Sequence, residues 1–137
     1  MPVDSLMEHQ RIWIEGLNRG DVSAAADEAF LPDCIVHVTG VPEPFRGVGS
    51  WKEFIAGFLL AFPDLHITVE DQIVDGDSVA FRWRASGTHT GPLGPAPATG
   101  KRMTIEGLVI DRVVGGRVQE RWEQMDQPLM LQQLGLA

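Results

Sequence analysis

The sequence predicts one α+β domain, a curved antiparallel sheet wrapped around three N-terminal helices. Apolar residues recur at helical spacing through the first half of the chain, the period switches to two beyond Leu65, and glycine-containing turns then separate strand-like runs. Helices placed early and strands placed late suit a sheet that curls over the helices and leaves a cleft at one end. The 137 residues, 44% hydrophobic and 22% charged, match one domain able to bury one core, so residues 1–137 are read as a single unit.

Ser5-Leu6-Met7-Glu8 has the form of a capping box, and Leu6, Trp13 and Leu17 share one face of a first helix ending near Asn18. Arg19-Gly20-Asp21 interrupts it, and a second helix runs from Val22 to Phe30. Pro32-Asp33 reads as a turn before a short strand, Cys34 to Val38, and Val41 to Pro44 as a loop. Ser50-Trp51-Lys52-Glu53 is a second capping box, opening a third helix whose Trp51, Phe54, Ile55, Phe58 and Phe62 form an aromatic stripe that Pro63 ends. Leu65–Val74 and Val79–His89 are strands joined at Asp75-Gly76-Asp77, with Phe81, Trp83, Ala85, Gly87 and His89 on one face. Gly91 to Pro97 contains three prolines, which lack the ladder donor, so it is a loop or lid. Lys101–Val114 and Arg117–Met125, joined at Gly115-Gly116, complete a four-stranded meander, and Pro128 to Ala137 trails as a tail.

Charge and motif content exclude several function classes. The net charge of −8, from 19 acidic and 11 basic residues, repels phosphate backbones and anionic lipid surfaces, so neither nucleic acid nor membrane is an expected partner. No run of about 18 apolar residues occurs, and Met1 to Gln10 has no cationic lead into an apolar stretch; a cytoplasmic location is expected. The one cysteine, Cys34, excludes an internal disulfide and reads as a small buried hydrophobe. Gly94 to Lys101 fails as a phosphate loop, having the wrong glycine spacing, two prolines and Arg102 where Ser or Thr is needed. His9, His37, His66 and His89 stand apart from any metal-ligand spacing, so no metal is expected, and no serine lies in a nucleophile elbow.

Polar groups on apolar strands remain as site candidates. His89 shares the parity of Phe81 and Trp83 at a strand end, His37 precedes the Val41 loop, and Glu106 carries charge in an apolar strand. On the last strand Trp122, Gln124 and Asp126 share one face, and Arg121, Glu123 and Met125 the other. Hydrophobic pattern alone turns Trp122 inward and leaves Glu123 in solvent; a bulge, or an outer face covered by a partner subunit, reverses this. The candidate substrate-binding positions are Trp13, Phe54, Phe58, Trp83, Glu106 and Trp122.

The segment Gly87-Thr88-His89-Thr90-Gly91-Pro92-Leu93, the loop ending Ala98-Thr99-Gly100-Lys101, and Gly116-Arg117-Val118 through Glu120-Arg121-Trp122-Glu123-Gln124-Met125-Asp126 to Gln133-Leu134-Gly135 together resemble the SnoaL-like polyketide cyclases and related ester cyclases. The resemblance spans the chain from the first helix to the tail. It implies a nuclear-transport-factor-2-like cone, a homodimer formed through the sheet, and a cofactor-independent intramolecular aldol condensation that closes a ring of a polyketide methyl ester. It also implies an acid/base aspartate just after the motif tryptophan, a position held here by Glu123; a histidine that some members carry on the preceding strand falls on Val109. Glu123 is thus the expected proton shuttle, with His89 or His37 holding the enolate oxygen and Asp126 as the fallback carboxylate. The same cone hosts isomerases, dehydratases and epoxide hydrolases, and a non-catalytic binding or dimerisation module is the alternative from another class. An apolar pocket with Glu123 and a histidine converging favours the enzyme; a pocket filled by side chains favours the module.

Overall fold

A computed structural model describes residues 3–137, with side chains from residue 6 onward. On the first helix, α1 (Val3–Arg19), Leu6, His9, Gln10, Trp13 and Leu17 are all buried, the spacing of one continuous face. The helix begins ahead of the expected Ser5 cap, whose side chain lies outside the described residues. The second helix, α2 (Val22–Ala29), turns Ala25, Ala26 and Ala29 inward. A Cβ on Gly16 would stand 2.2 Å from the Ala25 Cβ, so glycine is what lets α1 and α2 touch.

The expected turn at Pro32-Asp33 is instead an irregularity inside a strand. The first strand, β1, spans Phe30–Val38, and its register against the last strand shifts between Phe30 and Ile35, so the proline's missing donor falls where pairing is already broken. A two-residue strand, β2 (Phe45–Arg46), occupies part of the segment between β1 and the third helix, α3 (Val48–Ala61). That helix starts from Gly47 at φ 85°, three residues ahead of the expected cap at Ser50, whose hydroxyl donates back to the Arg46 and Gly47 carbonyls.

Strands β3 (His66–Asp75), β4 (Ser78–Thr88), β5 (Arg102–Val114) and β6 (Arg117–Met125) form the meander that the sequence predicts. Gly115 and Gly116 both have positive φ, as the two-residue turn between β5 and β6 demands. What the periodicity did not reveal is that β1 pairs in parallel with β6, which makes a six-stranded sheet of order β2-β1-β6-β5-β4-β3, curved but unclosed. The tail forms a fourth helix, α4 (Gln127–Gln133), capped by Asp126, whose carboxylate accepts the Leu129 N–H at 3.2 Å.

On β5 burial alternates without a break from Met103 to Val113, so the faces of the sheet are unambiguous. The inner face packs against the helices in two clusters. One, on the helix side, contains Trp13, Phe30, Trp51 and Ile55; the other, over the sheet, contains Phe62, Phe81, Trp83 and Val109. The outer face carries a row across five strands, Ile73, Ala80, Ile110, Trp122 and His37, each paired to the next. Cys34 is fully enclosed, and burial pushes its thiol up to about 11, as suits a core residue.

Candidate active site

The cavity lies along the seam of the two clusters. Trp13, Ile14 and Leu17 of α1 and Ile55 and Phe58 of α3 form one wall, and Phe81, Trp83 and Val109 of the sheet form the other. Trp83 projects into it because the paired residue on β5 is Gly107, above which the indole lies; a Cβ there would come within 2.1 Å of the ring. Among the described residues the lining is apolar except for two side chains, Arg121 and Glu123, and the cavity volume is about 50 Å³, room for only a few waters.

Glu123 therefore faces inward, at 8% exposure, and Trp122 faces out. Arg121, Glu123 and Met125 share the inner face of β6, and register places Glu123 opposite Val109 and Arg121 opposite Asp111. Asp111 accepts Arg121 Nε–H at its Oδ1 (2.7 Å) and Nη2–H at its Oδ2 (2.8 Å), a fork-on-fork pair. The guanidinium lies between two rings, 4.9 Å from the centre of Phe30 and 5.5 Å from that of Phe81. Arg121 Nη1–H reaches Glu123 Oε1 at 3.3 Å. Behind Asp111 stands His9, with Nε2 2.9 Å from Asp111 Oδ2 and Nδ1 2.7 Å from the Leu6 carbonyl.

The two carboxyls respond in opposite directions. Burial pushes Glu123 above the usual carboxylate range; the charge of Arg121 opposes this, the charge of Asp111 adds to the rise, and the one long bond from Arg121 opposes it slightly further. Burial acts upward on Asp111 too, but the charge and paired hydrogen bonds of Arg121, with a further bond to His9, outweigh it and hold Asp111 below its ordinary value. Burial would lower Arg121, yet Asp111 first and Glu123 second hold it above its usual value. The cluster thus contains a committed ion pair, Asp111–Arg121, and one carboxyl, Glu123, inclined to hold a proton. Of the five N–H donors of Arg121, three are used among the described residues.

Of the other expected site residues, Trp13, Phe58 and Trp83 line the cavity, whereas Phe54 packs outside it against Phe45 and Trp51. Trp122 is 38% exposed on the outer face, stacked on His37 at 5.3 Å, because strand parity turns Arg121 and Glu123 in and so sends their neighbour out. His37 shares that face and pairs with Glu120 at 2.7 Å, which separates it from the cavity. Glu106 is exposed there as well, near Arg82 and Arg84. His89 does point inward and is fully enclosed, but it lies past the end of β4 against Phe62, and its Nδ1 accepts the Thr99 N–H at 3.2 Å; it is not part of the cavity wall. Asp126 is a helix cap rather than a second carboxylate for the cavity. The loop after His89 is tied at its base, where Thr90 and Gly91 N–H donate to the Ala61 carbonyl, and none of its residues lines the cavity.

Sequence reasoning missed His9, Asp111 and Arg121. A signal existed for Asp111: it shares the parity of Met103, Ile105, Val109 and Val113, so it is a carboxylate on the inward face of an apolar strand. Glu106, singled out instead, has the opposite parity.

The model of the SnoaL-like polyketide cyclase family matches residues 7–134, nearly the whole chain. The chain belongs to that family. Solved structures agree. IdmH from Streptomyces antibioticus, a candidate polyketide cyclase, is 31% identical over 95% of this chain and 98% of its own, with a TM-score of 0.82. TsrD from Streptomyces laurentii is 25% identical over 100% and 99%, with a TM-score of 0.89. AclR from Streptomyces galilaeus, a candidate hydroxylase, is 25% identical over 96% and 98%, with a TM-score of 0.83. No curated protein matches the chain. Proteins that share this fold at 25–31% identity therefore differ in the chemistry ascribed to them, and the reaction of this one has to be argued from its own cavity.

Proposed function

We propose that this SnoaL-like protein is a cofactor-independent acid/base enzyme acting on a small hydrophobic carbonyl compound, with Glu123 as the proton shuttle. The observation that carries this is a carboxyl buried on the wall of a cavity whose other described lining, Arg121 apart, is apolar, beside a guanidinium with spare donors; burial raises that carboxyl's pKa. A carboxyl raised toward neutrality exchanges protons with carbon acids better than a solvated one does. In the proposed step, ionised Glu123 takes a proton from the carbon next to a carbonyl, and the electron pair moves to the carbonyl oxygen. An unused N–H of Arg121 holds that oxygen, the role first expected of His89 or His37. In an aldol closure the enolate carbon then attacks a second carbonyl of the same molecule, forming the C–C bond, and Glu123 returns its proton to the new alkoxide.

A cavity of about 50 Å³ is far below the roughly 300–1,000 Å³ of ordinary small-molecule sites, so a substrate has to displace its walls. Ile14, Phe58, Ile67 and Met125 line it and are only half-buried, so they are the walls that a substrate displaces at least packing cost. The same narrowness favours the second reading, a non-catalytic module of this fold. Proton exchange separates the two without knowledge of the product. Small aryl ketones and β-keto esters are incubated in D2O, and loss of the α-proton signal is followed by NMR. The wild type is expected to speed exchange of at least one, and Glu123→Gln to slow it by about 10² to 10⁴. Equal rates for the two proteins would refute Glu123 as the shuttle.

A homodimer through the outer sheet face belongs to the same proposal. Leu108, Ile110, Trp122 and Ile73 are exposed there; Ile110 pairs with Trp122 on one side and reaches Ile73 through Ala80 on the other, which gives an apolar row across the sheet.

A further inference from the structure

We propose that Asp111 is a positioning residue for Glu123: by holding the Arg121 guanidinium with both carboxylate oxygens, it prevents Arg121 from forming the full pair with Glu123 that would disarm the proton shuttle. This deepens the reading of Glu123 given above and rests on it. Arg121 and Glu123 stand two apart on one strand face, close enough for a two-pronged ion pair. They make one bond of 3.3 Å, while Asp111, across the ladder, takes two bonds of 2.7 and 2.8 Å. The guanidinium carbon lies over both Phe30 and Phe81, and with Nε and Nη2 given to Asp111 it presents only Nη1 to Glu123. Asp111 is itself braced by His9, whose ring contacts Asp111 at one nitrogen and the Leu6 carbonyl at the other. Among the described residues the elements around the cavity bring no other charged side chain to its wall, so Glu123 answers to Arg121 directly and to Asp111 behind it.

The arrangement has a counterintuitive consequence. Removing a neighbouring negative charge ordinarily makes a carboxyl easier to ionise only through lost repulsion. Here it would also release a cation to pair with Glu123, and both effects act downward. The site would keep its reacting group and lose its basicity.

The test is a carboxyl ¹³C NMR titration of Glu123 in wild type and in Asp111→Asn, which needs no substrate. The midpoint is expected to fall by about one to three pH units in Asp111→Asn, the range an adjacent, fully paired cation produces. A midpoint that stays or rises would overturn the proposal and leave Asp111 a purely structural partner of Arg121. Should the variant fail to fold, the wild type carries the test. Arg121 Nε–H is expected to remain protected from solvent exchange on both sides of the Glu123 midpoint, because Asp111 keeps hold of it. Loss of protection as Glu123 ionises would mean that the guanidinium moves across, and would equally overturn the proposal. A lowered midpoint together with unchanged proton exchange in Glu123→Gln would leave the positioning intact and refute only the functional reading.

Discussion

Glu123→Gln should flatten the pH dependence of stability, and the size of the effect follows from where the carboxyl sits. A group whose folded pKa lies above its unfolded value near 4.5 is favoured in the folded state as the neutral acid. Its stabilising contribution is complete below pH 4.5 and is lost as the pH rises toward the folded midpoint, at about 1.4 kcal/mol per pH unit. Glutamine mimics the neutral acid: it keeps an oxygen for Arg121 and cannot ionise. Below pH 4.5 the two proteins should therefore agree within about 0.5 kcal/mol. Above it the variant should become progressively the more stable, and the gap should stop widening once the pH passes the Glu123 midpoint. Asp111 does not blur the reading. Its folded value lies below 3.8, so its contribution is present above that pH and lost only as the pH falls further, alike in both proteins. Urea unfolding from pH 4 to 8, with unchanged m-values, measures the difference. Parallel curves, or a wild type that gains on the variant as the pH rises, would refute the burial argument and with it the raised carboxyl.

Two further outcomes are expected. Ile110→Lys places a charge at the middle of the outer apolar row, at a position 50% exposed, and should leave a monomer of 15.0 kDa by light scattering where the wild type gives twice that mass; a wild type of 15.0 kDa at micromolar concentration would refute the dimer. Gly107→Ala forces a methyl against the Trp83 ring at 2.1 Å and the Gln124 carbonyl at 2.7 Å, and should cost about 1–3 kcal/mol and shift the tryptophan emission; an unchanged spectrum and stability would mean that Trp83 does not lie over Gly107.

Much of this molecule was determined by sequence alone. The alternation of Phe81, Trp83, Ala85 and His89 and the Gly115-Gly116 turn specify an antiparallel meander, because a period of two and a turn requiring positive φ have few other solutions. The helical spacing of Leu6, Trp13 and Leu17 likewise specified the buried face of α1, on which His9 also lies. Glu123 was legible as a candidate through the motif around it, though not through hydrophobicity, which pointed Trp122 inward.

Only tertiary structure decided which face of β6 is the inside. The choice depends on β1 pairing in parallel with β6 across a long stretch of chain, and on Asp111 lying opposite Arg121, neither of which leaves a local period. An isolated strand gains by burying Trp122. Within the sheet, Arg121 and Glu123 can be buried instead because Asp111 supplies the compensating charge and two aromatic rings supply the packing. His9 reads as a lone histidine for the same reason: its partner is 102 residues away, and contact at that separation is a property of the fold and not of any segment of it.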